Sequence, residues 1–251
     1  MKKNIHSGVT RRHFLQTASF AAGLFTMRGV FAEELTRKTA WVEEGPFYPP
    51  KLPLDTDNDL LIVNDSITPA VGEITHLSGR LLDAKGAPIR NATIEIWQVD
   101  YGAVYLAERD RQAKFDANFQ GFGRFLTGST GEYYFRTIKP VPYRGRPAPH
   151  IHFKIKVKES EPWTTQLFIK GFADNARDGV YNEIGDAQAK ESVSADFATV
   201  PESRIGELAA RFDITPRATP PDDGHDHHHG SGPGGFGPPP GGERPPGPPP
   251  D

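Results

Sequence analysis

The sequence predicts an all-β fold: an antiparallel β-sandwich with an extended N-terminal segment and one short C-terminal helix. Three observations predict it. The stretch HIHFKIKVK alternates strictly, with Ile151, Phe153, Ile155 and Val157 on one parity and His150, His152, Lys154, Lys156 and Lys158 on the other. That is the period of a strand with one face in a core. Four more segments of the middle chain are strand-like: ITHLSGRLLD (74–83), ATIEIWQV (92–99), STGEYYFRTI (129–138) and TTQLFIKG (164–171). Gly- and Pro-containing turns such as DAKGAPIRN separate them at short spacing. This punctuation suits a sandwich and not alternating strands and helices.

Each remaining element follows from local composition. EEGPFYPPKLPLDTDNDLL (43–61) is too rich in Pro and Asp for regular structure and is expected to wrap over the domain. After Pro201, which suits a first helical turn, Ile205, Leu208, Ala209 and Phe212 fall on a helical stripe, which predicts the C-terminal helix. No glycine-rich phosphate loop, nucleophile elbow or internal repeat is present.

The two ends differ from the middle. Residues 1–32 hold Lys2, Lys3, Arg11, Arg12 and Arg28 and no acid. TRRHFLQ (10–16), the small and apolar TASFAAGLF and the terminal VFA (30–32) read as an export signal. Arg11-Arg12 followed by Phe14 and Leu15 resembles a twin-arginine signal, so the export machinery is an expected partner and the location is periplasmic or secreted. The apolar stretch is too short to be a membrane anchor. Residues 33–216 form the predicted domain. Residues 217–251 are dominated by Pro, Gly, Asp and His and have almost nothing to bury. His225, His227, His228 and His229 within that tail could chelate a metal loosely, but a solvated low-complexity tail is the preferred reading.

Charge and cysteine usage narrow the class. The chain carries a net −3, and residues 33–251 carry 24 basic and 32 acidic side chains, a net −8. Such a chain is a poor partner for nucleic acid. It has no cysteine, so an oxidising compartment adds no disulfide. The sequence leaves a homo-oligomer open.

The chemistry gathers around the alternating strand. His150 and His152 project from one side of it, close enough to share an ion, and Pro147 and Pro149 stiffen the approach. His-X-His alone is a weak signal, and an exposed polar face is the plainer alternative. Tyr143 in IKPVPYRGR precedes this strand, and Tyr105 in IEIWQVDYGAVY follows another. Imidazoles with phenols and no thiol suit a hard, highly charged cation, with ferric iron the natural choice.

EIWQVDYGAVY, FQGFGRFLTGSTGEYYFRTIKPVPY, PHIHFKIK and TTQLF together resemble the successive motifs of the intradiol ring-cleavage dioxygenases. EGPFYPPKLPLDTDNDLL resembles the leader of an exported bacterial branch, and the resemblance runs from about Glu43 to Lys170. It implies a non-haem Fe(III) enzyme of aromatic compound catabolism. Such an enzyme cleaves a catechol between its two hydroxyls with O2 to give a muconate-type diacid. Tyr105, Tyr143, His150 and His152 would be the metal ligands. Tyr143 would also leave the metal when catechol binds, Arg146 would sit beside the substrate and Gln166 near the reacting carbon. Arg146 stands four residues before His150, where the family has its arginine three before, and Arg144 is the other arginine of the loop. Ala103 stands where the family often has Gly. Tyr101, Tyr133 and Tyr134 are expected to be structural. The rival readings are a non-catalytic exported sandwich, transthyretin-like or carbohydrate-binding, and a periplasmic metal-binding protein.

Overall fold

The computed structural model describes residues 38–64, 66, 68–109, 115–158 and 160–216. The export signal (1–32) and the tail (217–251) expected from the sequence lie outside the described residues. Nine strands are described: β1 (Ile74–Arg80), β2 (Thr93–Trp97), β3 (Phe122–Leu126), β4 (Glu132–Ile138), β5 (His150–Lys156), β6 (Trp163–Ile169), β7 (Ser194–Ala195), β8 (Phe197–Thr199) and β9 (Leu208–Arg211). They form a four-stranded sheet in the order β4-β1-β9-β8 and a five-stranded sheet in the order β3-β2-β5-β6-β7. The expected sandwich is there. Its sheets are mixed, because β1 pairs with β9 and β6 with β7 in parallel.

The alternation in β5 sorts as its period requires. Ile151, Phe153 and Ile155 enter the core with Ile94 and Ile96 of β2 and Leu167 of β6, and meet Leu77, Tyr133, Phe135 and Phe212 from the other sheet side. Cross-strand register places Trp97 opposite His152, His152 opposite Gln166, and Glu95 opposite Lys154. All of these share the other face of the five-stranded sheet.

That second face is covered, not solvated. Residues 40–43 run along the edge of β6, with Val42 N donating to the Thr164 carbonyl (3.2 Å) and the Thr164 and Thr165 hydroxyls donating to the Val42 and Ala40 carbonyls (2.7 and 2.8 Å). The segment then crosses to β2, where Tyr48 packs edge-on against Trp97 (5.1 Å between centroids). Its hydroxyl donates to Glu95 (2.9 Å). Glu95 is fully buried and also pairs with Arg124 (2.7 Å) and Lys156 (2.9 Å). The EEGPFYPP segment therefore wraps over the domain as its composition predicts.

The helix expected after Pro201 is absent, and β9 takes its place. Leu208, Ala210 and Phe212 are buried while Ala209 and Arg211 are less so, a period of two, and Ile205 is 73% exposed. Pairing with β1 overrides the helical stripe. Gly79 permits the approach, since a Cβ there would stand 1.9 Å from the Phe212 carbonyl oxygen. Two short helices occur earlier instead, α1 (Gly179–Glu183) and α2 (Ala187–Glu191), capped by the Asp178 and Asp186 carboxylates. No helix among the described residues is long and apolar enough to cross a membrane.

Glu95 supplies a test of the covering segment. Burial alone would raise its pKa, but the hydrogen bonds from Lys156, Arg124 and Tyr48 outweigh burial and hold it below the ordinary 4.5. Its folded pKa is thus depressed, so its stabilisation is complete above pH 4.5 and is lost as pH falls through the folded value. Glu95→Gln should cost about 1–3 kcal/mol at pH 7. Urea melts across pH should show a shallower loss of stability below pH 4.5 in the variant than in the wild type.

Candidate active site

Tyr105 is delivered by a tight loop after β2. The Asp100 amide donates to the Val104 carbonyl (2.9 Å), and the Ala103 amide donates to the Asp100 carbonyl (3.0 Å). The fully buried Asp100 carboxylate accepts from Val104 N (2.9 Å) and Asp116 N (2.6 Å). Tyr143 opens a two-residue turn after β4, closed by reciprocal amide–carbonyl bonds with Arg146 (2.9 and 3.1 Å). Gly145 takes φ 88° within it. His150 and His152 begin β5 on its covered face.

These four side chains converge. The Tyr105 hydroxyl lies 2.9 Å from His152 Nε2 and 3.4 Å from His150 Nε2, and its ring meets that of Tyr143 edge-on (5.2 Å between centroids). The His150 and His152 rings are 4.8 Å apart, and the Tyr143 and His150 rings 5.6 Å apart. His150 Nδ1 donates to the Ala148 carbonyl (2.8 Å), which leaves its lone pair on Nε2. His152 stacks on Trp97 (4.8 Å, 9° between planes), and Tyr105 stacks on Phe47 (4.4 Å, 10°).

Burial sets the protonation states. It pushes His150 down to about 3, with the Arg146 charge acting in the same direction. It also holds His152 well below the ordinary histidine value, with His150 and Arg146 adding to the effect. Both imidazoles are therefore neutral donors at neutral pH. Burial also raises Tyr105 well above the ordinary phenol value, and the Tyr143 phenol adds to the shift. Tyr143 is raised by burial, against which the neighbouring Tyr105 hydroxyl and the Arg146 charge act. Neither phenol ionises here without added positive charge.

This donor set fits a hard cation. Ligand atoms about 2.0–2.1 Å from one ion at right angles stand about 3 Å apart, close to the spacing of the Tyr105 oxygen and the two Nε2 atoms. No group of three or more His, Cys, Asp or Glu among the described residues is arranged to hold a metal. The two phenols beside the two imidazoles are hard donors that could join them on a highly charged cation able to drive phenol deprotonation.

Arg146 reaches the cluster. Its Nη2 donates to Gln166 Oε1 (2.8 Å), and its Nε donates to both oxygens of Asp178 (2.9 and 3.2 Å). Gln166 is fully buried and donates to the Glu43 carbonyl (3.1 Å). Arg144 is exposed. Tyr133 lies in the sandwich core with its hydroxyl on the Phe212 carbonyl, Tyr134 bonds His76 on the other sheet, and Tyr101 is 56% exposed. Trp97, Phe47, Asp100 and Asp178 are the contributors that sequence reasoning missed. Phe47, Trp97 and Asp100 sat in segments already singled out but show no local signal of their part in the site; Asp178 lies outside them and meets the site through a long-range contact.

A family model, Dioxygenase_C, described as "Dioxygenase", matches residues 43–216. The chain belongs to the intradiol ring-cleavage dioxygenase family. It is accordingly an oxidoreductase of the dioxygenase kind. It is 32% identical over 161 residues to a protocatechuate 3,4-dioxygenase beta chain of Burkholderia cepacia, covering 60% of this chain and 68% of that one. It is 27% identical to a hydroxyquinol 1,2-dioxygenase of Corynebacterium glutamicum, covering 68% and 60%. A Rhizobium hydroxyquinol 1,2-dioxygenase is 28% identical, and the chain spans 48% of its length. Two solved structures show the same fold. One is the dioxygenase domain of a carbohydrate-binding fusion from Streptomyces sp. SirexAA-E (TM-score 0.55, 24% identity, 71% of this chain and 97% of that one). The other is the catechol 1,2-dioxygenase of Acinetobacter sp. ADP1 (TM-score 0.53, 20% identity, 82% and 78%).

The family's usual glycine at position 103 has a physical reason in this intradiol dioxygenase. Ala103 takes φ 65°, the left-handed region. A Cβ there costs about 1–2 kcal/mol, against about 0.4–1 kcal/mol for the extra freedom a glycine gives the unfolded chain. Ala103→Gly should therefore stabilise the domain by roughly 0.5–1 kcal/mol in urea unfolding.

Proposed function

We propose that this protein is a non-haem ferric enzyme that opens a catechol-type ring between its two hydroxyls with O2, giving a muconate-type diacid. The observation that carries the reading is the convergence of the Tyr105 oxygen on the Nε2 atoms of His150 and His152, with Tyr143 and Arg146 at its side. Tyr105, Tyr143, His150 and His152 hold the iron. When bound, Fe(III) supplies the Lewis acidity and one-electron chemistry that let a catechol react with O2.

The chain's own residues do the rest. The two phenolates balance most of the ferric charge, and the neutral imidazoles add none. Tyr105 is 1% exposed and clamped by Phe47, so it stays in place. Tyr143 sits on a turn and is only partly buried, so it can swing away and take up a catechol proton at its phenolic oxygen. Arg146 directs its Nη2–H towards Gln166, where it stabilises negative charge developing on the ring. The covering segment keeps water from the buried side. An exported location, supported by Arg11-Arg12 and the absence of cysteine, favours aromatic compounds met outside the cytoplasm.

Oxygen uptake over a panel of catechol, hydroxyquinol, carboxylated and larger polyphenolic catechols, with products identified by mass, tests the activity. The purified protein should hold about one iron per chain and absorb visible light through tyrosinate-to-iron charge transfer. His150→Ala or His152→Ala should empty the site. Tyr143→Phe should lower turnover by about a hundredfold or more with a smaller loss of resting colour, and Tyr133→Phe and Tyr134→Phe should retain both. A colourless wild type that takes up no iron would remove the basis of the reading.

Export is tested separately. Replacing Arg11 and Arg12 together with Lys should leave the precursor in the cytoplasm, measured by cell fractionation. Normal appearance of the double variant outside the cytoplasm would refute the twin-arginine route.

A further inference from the structure

Among the described residues, Asp178 is the one fully buried carboxylate that touches the arginine of the site. It lies in none of the motifs that carry the family resemblance. It sits beyond β6, at the N-cap of α1, thirty-two residues from its partner in sequence. Its two oxygens accept four hydrogen bonds. Arg146 Nε donates to both (2.9 and 3.2 Å), Ala148 N donates to Oδ2 (3.2 Å) and Tyr181 N donates to Oδ1 (3.0 Å).

An N-cap alone accounts for only the last of these. The other contacts face the site. Fixing Nε on Asp178 turns the planar guanidinium so that Nη2 meets Gln166 Oε1 at 2.8 Å. Holding the Ala148 amide fixes the same residue whose carbonyl orients His150 through Nδ1. The pair is also shielded, with the Arg146 side chain 13% exposed and that of Asp178 not at all. At such burial the two charges cancel more completely than they would in water.

We propose that Asp178 is the positioning residue for Arg146, and that by cancelling the arginine's charge it biases the site towards catechols without a carboxylate. The arginine then acts as an aimed hydrogen-bond donor and not as a receptor for an anionic substituent. The second half of this inference rests on the proposed catechol chemistry, and the first half does not.

The experiment uses the full chain and three substitutions: Asp178→Asn, Arg146→Gln and the pair together. Asp186→Asn, at the cap of α2 away from the cluster, is the control. Urea unfolding of the four proteins of the cycle should show the two sites coupled by at least tenfold in the folding equilibrium. Coupling below twofold overturns the positioning role whatever the enzyme does. Anaerobic titration of the iron-loaded protein with catechol and with 3,4-dihydroxybenzoate reads the charge effect. In Asp178→Asn the preference should shift about tenfold towards the carboxylated ligand, with no such shift in Asp186→Asn. An equal loss for both ligands would mean that Asp178 is merely structural and would overturn the charge-cancelling role. If the pair is coupled but the wild type binds neither catechol, positioning stands, and both the proposed chemistry and the bias drawn from it fall.

Discussion

The site depends on one constraint: a sheet face that carries imidazoles, an amide and a carboxylate is closed off from water by a segment with no regular structure. Polar groups so placed must find partners or lose free energy. Glu95 finds Arg124, Lys156 and Tyr48; Gln166 finds Arg146 and the Glu43 carbonyl; His150 finds the Ala148 carbonyl. The imidazoles respond to burial by staying unprotonated. The covering that makes the face expensive thus also makes its nitrogens available as donors. His152 Nδ1 and Trp97 Nε1 are what remains of that cost, since both are buried and have no hydrogen-bond partner among the described residues.

Support reaches the donors from three directions. Trp97 stacks on His152 from the neighbouring strand, Phe47 stacks on Tyr105 from the covering segment, and Asp100 ties the loop that presents Tyr105. Rotamers held by flat ring contacts and buried hydrogen bonds keep an ion site in shape without extra ligands. Tyr143 is the exception, on a turn and only partly buried.

Much of this was legible in the sequence. The alternation of β5 placed its histidines and its core residues on opposite faces, because period two admits no other arrangement. The strands β1, β2, β4 and β6 were legible for similar reasons. β3 was not, since Phe122, Gly123 and Arg124 give little alternation between Gly-rich turns. β9 was misread because Leu208, Ala209 and Phe212 satisfy a helical stripe as well as a strand, and only the pairing with β1 decides between them. Arg146 was legible as a loop arginine, but its superiority over Arg144 rests on Asp178, a contact across thirty-two positions that no local pattern encodes.

The domain is also sewn shut at its two ends. Thr39 N donates to the Thr215 carbonyl, and Thr215 N donates back to the Thr39 hydroxyl, each at 2.9 Å. β9 meanwhile lies between β1 and β8. The first and last described stretches are thus each other's neighbours, and the seam they form borders the covering segment. A ribosome releases these stretches roughly 175 residues apart. The seam therefore cannot close until Thr215 has been made, after every residue of the site. An order of assembly is written into this topology: scaffold first, closure last.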